Sequence, residues 1–211
     1  MTNAPRVAAS VQAQIDAFGV PRDCYDVIVT SGDVSRDFIA PWQGRPLLHV
    51  GPQRDKNLFD NLNIAFADPD AAEVVVCSGL ADDTTETPDD YVALFAPLAA
   101  RGVPMVCANP DIKVERGSTL VWCAGGLAAR YAEMGGTVTY AGKPHLPIYA
   151  RAFQHIDRLK GHHVPKDRIL AIGDGVNTDI KGAVAAGIDA MVSADDCGGM
   201  RPHMQVGRVA V

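Results

Sequence analysis

The run AIGDGVNTDI, residues 171–180, closes an apolar stretch with two carboxylates five positions apart, Asp174 and Asp179. A strand that stops at Asp174 puts that carboxylate at a strand's carboxyl end, where open α/β sheets bind ligands. Asp179 then falls in the first turn of the following helix, where the helix dipole favours a negative charge. Two carboxylates converging at a strand end repel each other unless a cation lies between them. Hard oxygen donors of this kind suit Mg²⁺, which keeps several waters and usually accompanies a phosphate. The same spacing equally fits an Asp that ends its strand and an Asp that caps its helix. Lys143, in YAGKPHLPIYARAF at 140–153, also stands between an apolar strand and a helix. As a compact positive charge it could neutralise a phosphoryl group or a carboxylate.

These residues need elements to hold them. Short apolar runs alternate with helical patterns along the chain, which predicts α/β architecture. Strands are expected at 27–30, 46–50, 73–79, 103–110, 137–142, 168–174 and 189–193. Helices are expected at 7–20 and at about 88–100, 119–134, 147–160 and 177–186, and a capped turn leads from the strand at 27–30 into VSRDFIAPW, 34–42. The strands are mostly apolar without alternation, which predicts a parallel sheet covered on both faces. The acidic, Thr-rich stretch GLADDTTETPDD, 79–90, reads as a solvated loop leading into the helix at Pro88.

Composition limits the function classes. The formal charge of −6 provides no basic footprint, so neither nucleic acid nor an anionic membrane surface is an expected partner. No apolar run approaches the roughly 18 residues of a bilayer span and the first residues lack a signal-peptide layout, so a cytoplasmic location is expected. The five cysteines (Cys24, Cys77, Cys107, Cys123, Cys197) form no C-x-x-C pair and read as reduced, structural thiols.

Strand, G-K-P, helix, then strand, G-D-x-x-x-x-D, helix, together with CANPD at 107–111, resembles the haloacid dehalogenase superfamily of phosphohydrolases, in its class IIA branch. The resemblance covers roughly residues 2–195. It implies a Rossmann-like core, residues 1–44 and 142–211, interrupted by an inserted α/β cap, residues 45–141. It further implies that Asp174 is a direct Mg²⁺ ligand, Asp179 a second acidic group and Lys143 the phosphate-binding lysine. MTNAPR is similar to the family's Thr/Ser motif, which makes Thr2 and Asn3 phosphate-binding. Asn109 and Asp111 of the ANPD stretch are implied to read the substrate, a small phosphorylated metabolite, and the cap implies a homodimer.

The sequence departs from the pattern in its first motif. In the family, an apolar strand ends in D-x-D, whose first Asp is the nucleophile and whose second is the general acid and base. The one literal D-x-D here, DPD at 68–70, reads as a turn. The chain is therefore expected to be an incomplete core, with 27–30 short of strand neighbours, and catalytically impaired. The tail ADDCGGMRPHMQVGRVAV, 194–211, has little periodicity and is expected to stop short of the family's last elements. The alternative is a non-catalytic α/β protein that keeps the pocket for binding or self-association. His162 and His163 read as a solvated turn and His145 as an exposed or supporting residue. Ser31, in TSGD, fits no G-x-S-x-G elbow, and GDGVNTD lacks the Glu that closes an EF-hand.

Overall fold

A computed structural model of the chain describes residues 1–193, so the expectations for Cys197 and the tail from 194 lie outside it. The chain forms two compact units that meet in sequence at Gly142 and Lys143. No helix among the described residues is long and apolar enough to cross a membrane.

The first unit is built on a five-stranded sheet. Its strands are β1 (Pro46–Val50), β2 (Ala65–Phe66), β3 (Val74–Cys77), β4 (Met105–Cys107) and β7 (Val138–Tyr140), in the order β2-β1-β3-β4-β7. Every pairing is parallel, with Leu47 opposite Val74, Val75 opposite Met105 and Met105 opposite Val138. Successive side chains of a strand point to opposite faces. Val75, Cys77, Met105 and Cys107 accordingly pack on one side with Phe95 and Leu98 of α3 (Val92–Ala100) and Leu127 and Tyr131 of α4 (Ala124–Glu133). Val74, Val76 and Val106 pack on the other with Leu58, Phe59 and Ile39 of α2 (Ser31–Ile39). Burial on both faces explains why these strands read as unbroken apolar runs.

α1 (Ala8–Ala17) stops as the sequence predicts, with Gly19 at φ 75° and its amide donating to Asp16 O. The expected strand at 27–30 is reduced to one parallel bridge, Thr2 to Thr30, flanked by Thr2 N to Val29 O and Ser31 N to Thr2 O, each 3.0 Å. The helix expected from 119 begins only at Ala124. Before it stands an antiparallel hairpin, β5 (Lys113–Arg116) and β6 (Thr119–Trp122), turned at Gly117 with φ 63°. Residues 68–70 form the turn expected of them, with Ala71 N donating to Asp68 O. The expected division at residue 45 does not coincide with the boundary of the compact units. α2 lies before it, yet the apolar face of α2 finds its burial on the sheet that begins at Pro46.

The second unit contains α5 (Leu146–Lys160), β8 (Leu170–Gly173), α6 (Lys181–Ala186) and β9 (Asp189–Val192). β8 and β9 pair in parallel from Leu170–Asp189 to Gly173–Val192. α5 ends at Gly161 in the left-handed conformation, after Arg158 and Lys160 in its last turn, where cations suit the helix dipole.

Candidate active site

In the second unit, Asp174 is the exposed residue that follows β8. Val176–Ile180 form a widened, π-helical turn, not the regular helix expected from 177. The amides of Thr178, Asp179 and Ile180 all converge on Gly175 O at 3.2, 2.7 and 3.2 Å. That turn folds Asp179 back over the strand end. A Cβ on Gly173 would lie 2.4 Å from Asp179 Cγ, and one on Gly175 would lie 2.1 Å from Thr178 Oγ1 and 3.0 Å from Asp179 Oδ2. The glycines on either side of Asp174 are therefore what lets Asp179 fold back onto the strand end.

Lys143 Nζ donates to Asp179 Oδ1 at 2.6 Å, with the two side chains 12% and 15% exposed. The other oxygen, Oδ2, accepts weakly from Thr178 Oγ1 at 3.3 Å. Tyr149, one turn into α5, donates its hydroxyl to Asp179 O at 3.1 Å and packs its ring over Gly182. Burial and the nearby Asp179 push the Tyr149 hydroxyl up to about 12, so at neutral pH it is a donor. Neither Tyr149 nor Thr178 is singled out by sequence pattern. The only signal for Tyr149 is its place in the first turns of the helix that Lys143 precedes.

Among the described residues no group of three or more carboxylate, thiol or imidazole side chains is placed to hold a metal. Two hard carboxylates at one strand end still fit Mg²⁺, which completes its shell with water and substrate oxygens.

The other expected site residues belong to the first unit. Thr2 Oγ1 accepts from Ala4 N at 3.2 Å. Asn3 is buried and its side-chain amide donates to Asp111 Oδ1 at 2.8 Å, while Asn109 Oδ1 accepts from Asp111 N at 3.0 Å. Asn3 thus joins Asn109 and Asp111, more than a hundred residues away in sequence, in one hydrogen-bonded group. His145 precedes α5, and burial lowers its pKa, with Lys181 adding to the effect. His163 meets Asp157 at the surface, as a solvated turn would have it.

One buried polar group was not foreseen. His49 Nε2 and Ser78 Oγ share a hydrogen bond of 2.9 Å, and the Ser78 hydroxyl also bonds the buried Asp55 carboxyl. Burial, reinforced by Lys56, lowers the His49 pKa to about 4. An imidazole whose pKa is depressed on folding stabilises above its unfolded value and loses that stability as pH falls toward its folded value. The denaturation midpoint is expected to drop between pH 6.5 and about 4, and to drop less in His49→Gln. Asp55, raised by burial, acts in the opposite sense in both proteins, so the difference between the two profiles isolates His49. Coincident profiles would sink this assignment.

The HAD-hydrolase-like family model matches residues 140–195, the stretch that carries Lys143, Asp174 and Asp179. A crystal structure of a haloacid dehalogenase-like hydrolase from Brucella suis is 48% identical, over 90% of this chain and 70% of that one, with a TM-score of 0.86. The chain belongs to the haloacid dehalogenase-like hydrolases. Solved phosphatases share the fold of this hydrolase. A 4-nitrophenylphosphatase from Thermotoga maritima is 27% identical over 90% of this chain and 69% of that one, TM-score 0.65. A glycerol phosphate phosphatase from Mycobacterium tuberculosis, solved with calcium, is 24% identical over 90% and 55%, TM-score 0.65. No curated protein matches the chain.

Proposed function

We propose that this hydrolase is a class IIA, Mg²⁺-dependent phosphohydrolase of small phosphomonoesters, and that the 211-residue chain by itself turns over little or no substrate. The observation that carries the reading is the Lys143–Asp179 contact of 2.6 Å at the end of β8, one turn from Asp174. The names of the solved phosphatases with this fold support the substrate class.

In this reading Asp174, with Asp179, would hold Mg²⁺, which when bound supplies positive charge to phosphoryl oxygens. Lys143 adds a fixed ammonium for the same oxygens, and Asp179 holds it in place. Thr2 and Asn3 of the first unit are proposed as phosphate-binding residues, and Asn109 and Asp111 as residues that read the substrate. Residues 45–141 would act as the cap inserted in a core of 1–44 and 142–211. A cytoplasmic location and a homodimer complete the proposal. The low-turnover proposal is supported by the D-x-D of this chain: Asp68 and Asp70 are exposed in the turn after β2.

Hydrolysis of 4-nitrophenyl phosphate by the purified chain with Mg²⁺, beside Asp174→Asn, tests this. Background rates in both are expected. Metal-dependent turnover that disappears in Asp174→Asn would overturn the low-activity reading while supporting the metal site. A second reading, self-association without catalysis, is favoured by the small β8–β9 sheet, where Leu170 and Ile172 are 50% and 61% exposed. Light scattering separates the two, since a monomer at every concentration removes the second.

A further inference from the structure

The first unit contains a cavity of about 340 Å³ with an unusual wall chemistry. Arg6, Arg54 and Arg116 line it, together with Asp55, Asp83 and Ser78. Asp83 lies in the acidic stretch expected to be a solvated loop, yet its side chain is only 10% exposed. It accepts from Arg54 Nη2 at 2.8 Å and from Arg116 Nη1 and Nη2 at 2.8 and 2.6 Å. Those two guanidinium groups hold its carboxyl down at about 2, so it stays ionised and clamps both arginines at the cavity edge.

A guanidinium carries five N–H donors, and the contacts to Asp83 use one from Arg54 and two from Arg116. Three guanidinium groups against the two carboxylates Asp55 and Asp83 leave a surplus of one positive charge in a chain of formal charge −6. Ala4, Pro5 and Arg6, the residues that directly follow Thr2 and Asn3, also line the cavity. Asn109, two residues from the Asp111 that bonds Asn3, lines it as well. An ester whose phosphoryl group sat at Thr2 would therefore present its alcohol portion to this cavity. The cavity lies at the small end of ligand pockets, about 300–1,000 Å³, which suits a compact metabolite.

We propose that this cavity selects phosphomonoesters whose leaving group carries a carboxylate, read by Arg54 and Arg116 with Asp83 as the residue that positions them. The inference rests on the phosphomonoester reading above. A planar carboxylate matches the guanidinium fork in bidentate fashion, and one negative charge matches the surplus of one.

The test is calorimetric binding to the 211-residue chain with Mg²⁺ present, using 3-phosphoglycerate, glycerol 3-phosphate, glycerate and inorganic phosphate as separate probes. The carboxylate ester is expected to bind at least tenfold tighter than glycerol 3-phosphate. Arg116→Gln and Arg54→Gln should reduce that ratio toward one while leaving the affinity for inorganic phosphate within twofold. Arg6→Gln provides a second variant that leaves the Asp83 clamp intact, and it should lower the ratio by a smaller factor. Equal binding of the two esters by the unaltered chain, or a ratio unchanged in all three variants, overturns the proposal. Failure to bind inorganic phosphate, with glycerate still bound and lost in Arg116→Gln, would keep the carboxylate site and overturn the phosphatase reading.

Discussion

Replacing Lys143 by methionine is expected to destabilise the chain by about 3 kcal/mol, the largest single effect predicted for the site. The ammonium and the Asp179 carboxylate are 2.6 Å apart and both mostly hidden from solvent. Removing one partner leaves the other charge desolvated and uncompensated, which is the costly case, whereas removing both leaves nothing to compensate. Asp179→Asn alone should therefore also destabilise, and Lys143→Met/Asp179→Asn should lie closer to the unaltered chain than the sum of the single variants. Chemical denaturation of the four proteins measures the coupling. The same series probes the metal. A cation that binds the folded state raises its midpoint. Millimolar Mg²⁺ should recover part of the loss in Lys143→Met, where the carboxylate has lost its ammonium, and none in the double variant. Additive single effects, or Mg²⁺ recovery that persists without Asp179, would overturn the paired role.

Much of this arrangement is legible in the sequence. The strand-turn-helix contexts of Lys143, Asp174 and Asp179 follow from apolar runs broken by Gly, and β1, β3 and β4 stand where continuous apolar segments predict them. The hairpin at Lys113–Trp122 is less legible. TLVW joins onto the apolar spacing of α4, and a four-residue run cannot by itself be told from the first turn of a helix. At 27–30 the apolar pattern is real but the ladder is not, since pattern reports burial and the single pairing depends on Thr2. Least legible are contacts between distant segments. Asp83 meets Arg54 and Arg116 across 29 and 33 residues, and Tyr149 meets Asp179 across 30. Local composition made the acidic stretch look solvated because it reports charge and not the arginines that fold onto it. The G-K-P motif stands out in the sequence for its lysine, while the glycine before it has a structural role of its own.

Gly142→Ala is expected to cost about 3 kcal/mol and to release Asn3 from Asp111. The sign of this effect is decided by contact. Gly142 is not among the glycines with a positive φ, so alanine fits its backbone. Where alanine fits without strain, replacing glycine stabilises by about 0.4–1 kcal/mol through the unfolded chain. Here, however, the added Cβ would lie 2.4 Å from Asn3 Oδ1, 2.7 Å from Pro110 Cδ and 2.8 Å from Ser31 Oγ. Three segments far apart in sequence close around this residue. Asn3 and Ser31 are buried, so neither has open space into which to retreat. Overpacking of this kind costs more than the entropic gain returns. Two measurements follow the displacement: the denaturation midpoint, and the nuclear magnetic resonance signals of the Asn3 side-chain amide, whose bond to Asp111 should break. Asn3→Ser removes the nearest obstructing atom, so it should cost less in the Gly142→Ala background than in the unaltered chain. A Gly142→Ala protein as stable as the unaltered chain, with the Asn3 amide signals unmoved, would show that the junction is looser than these distances imply.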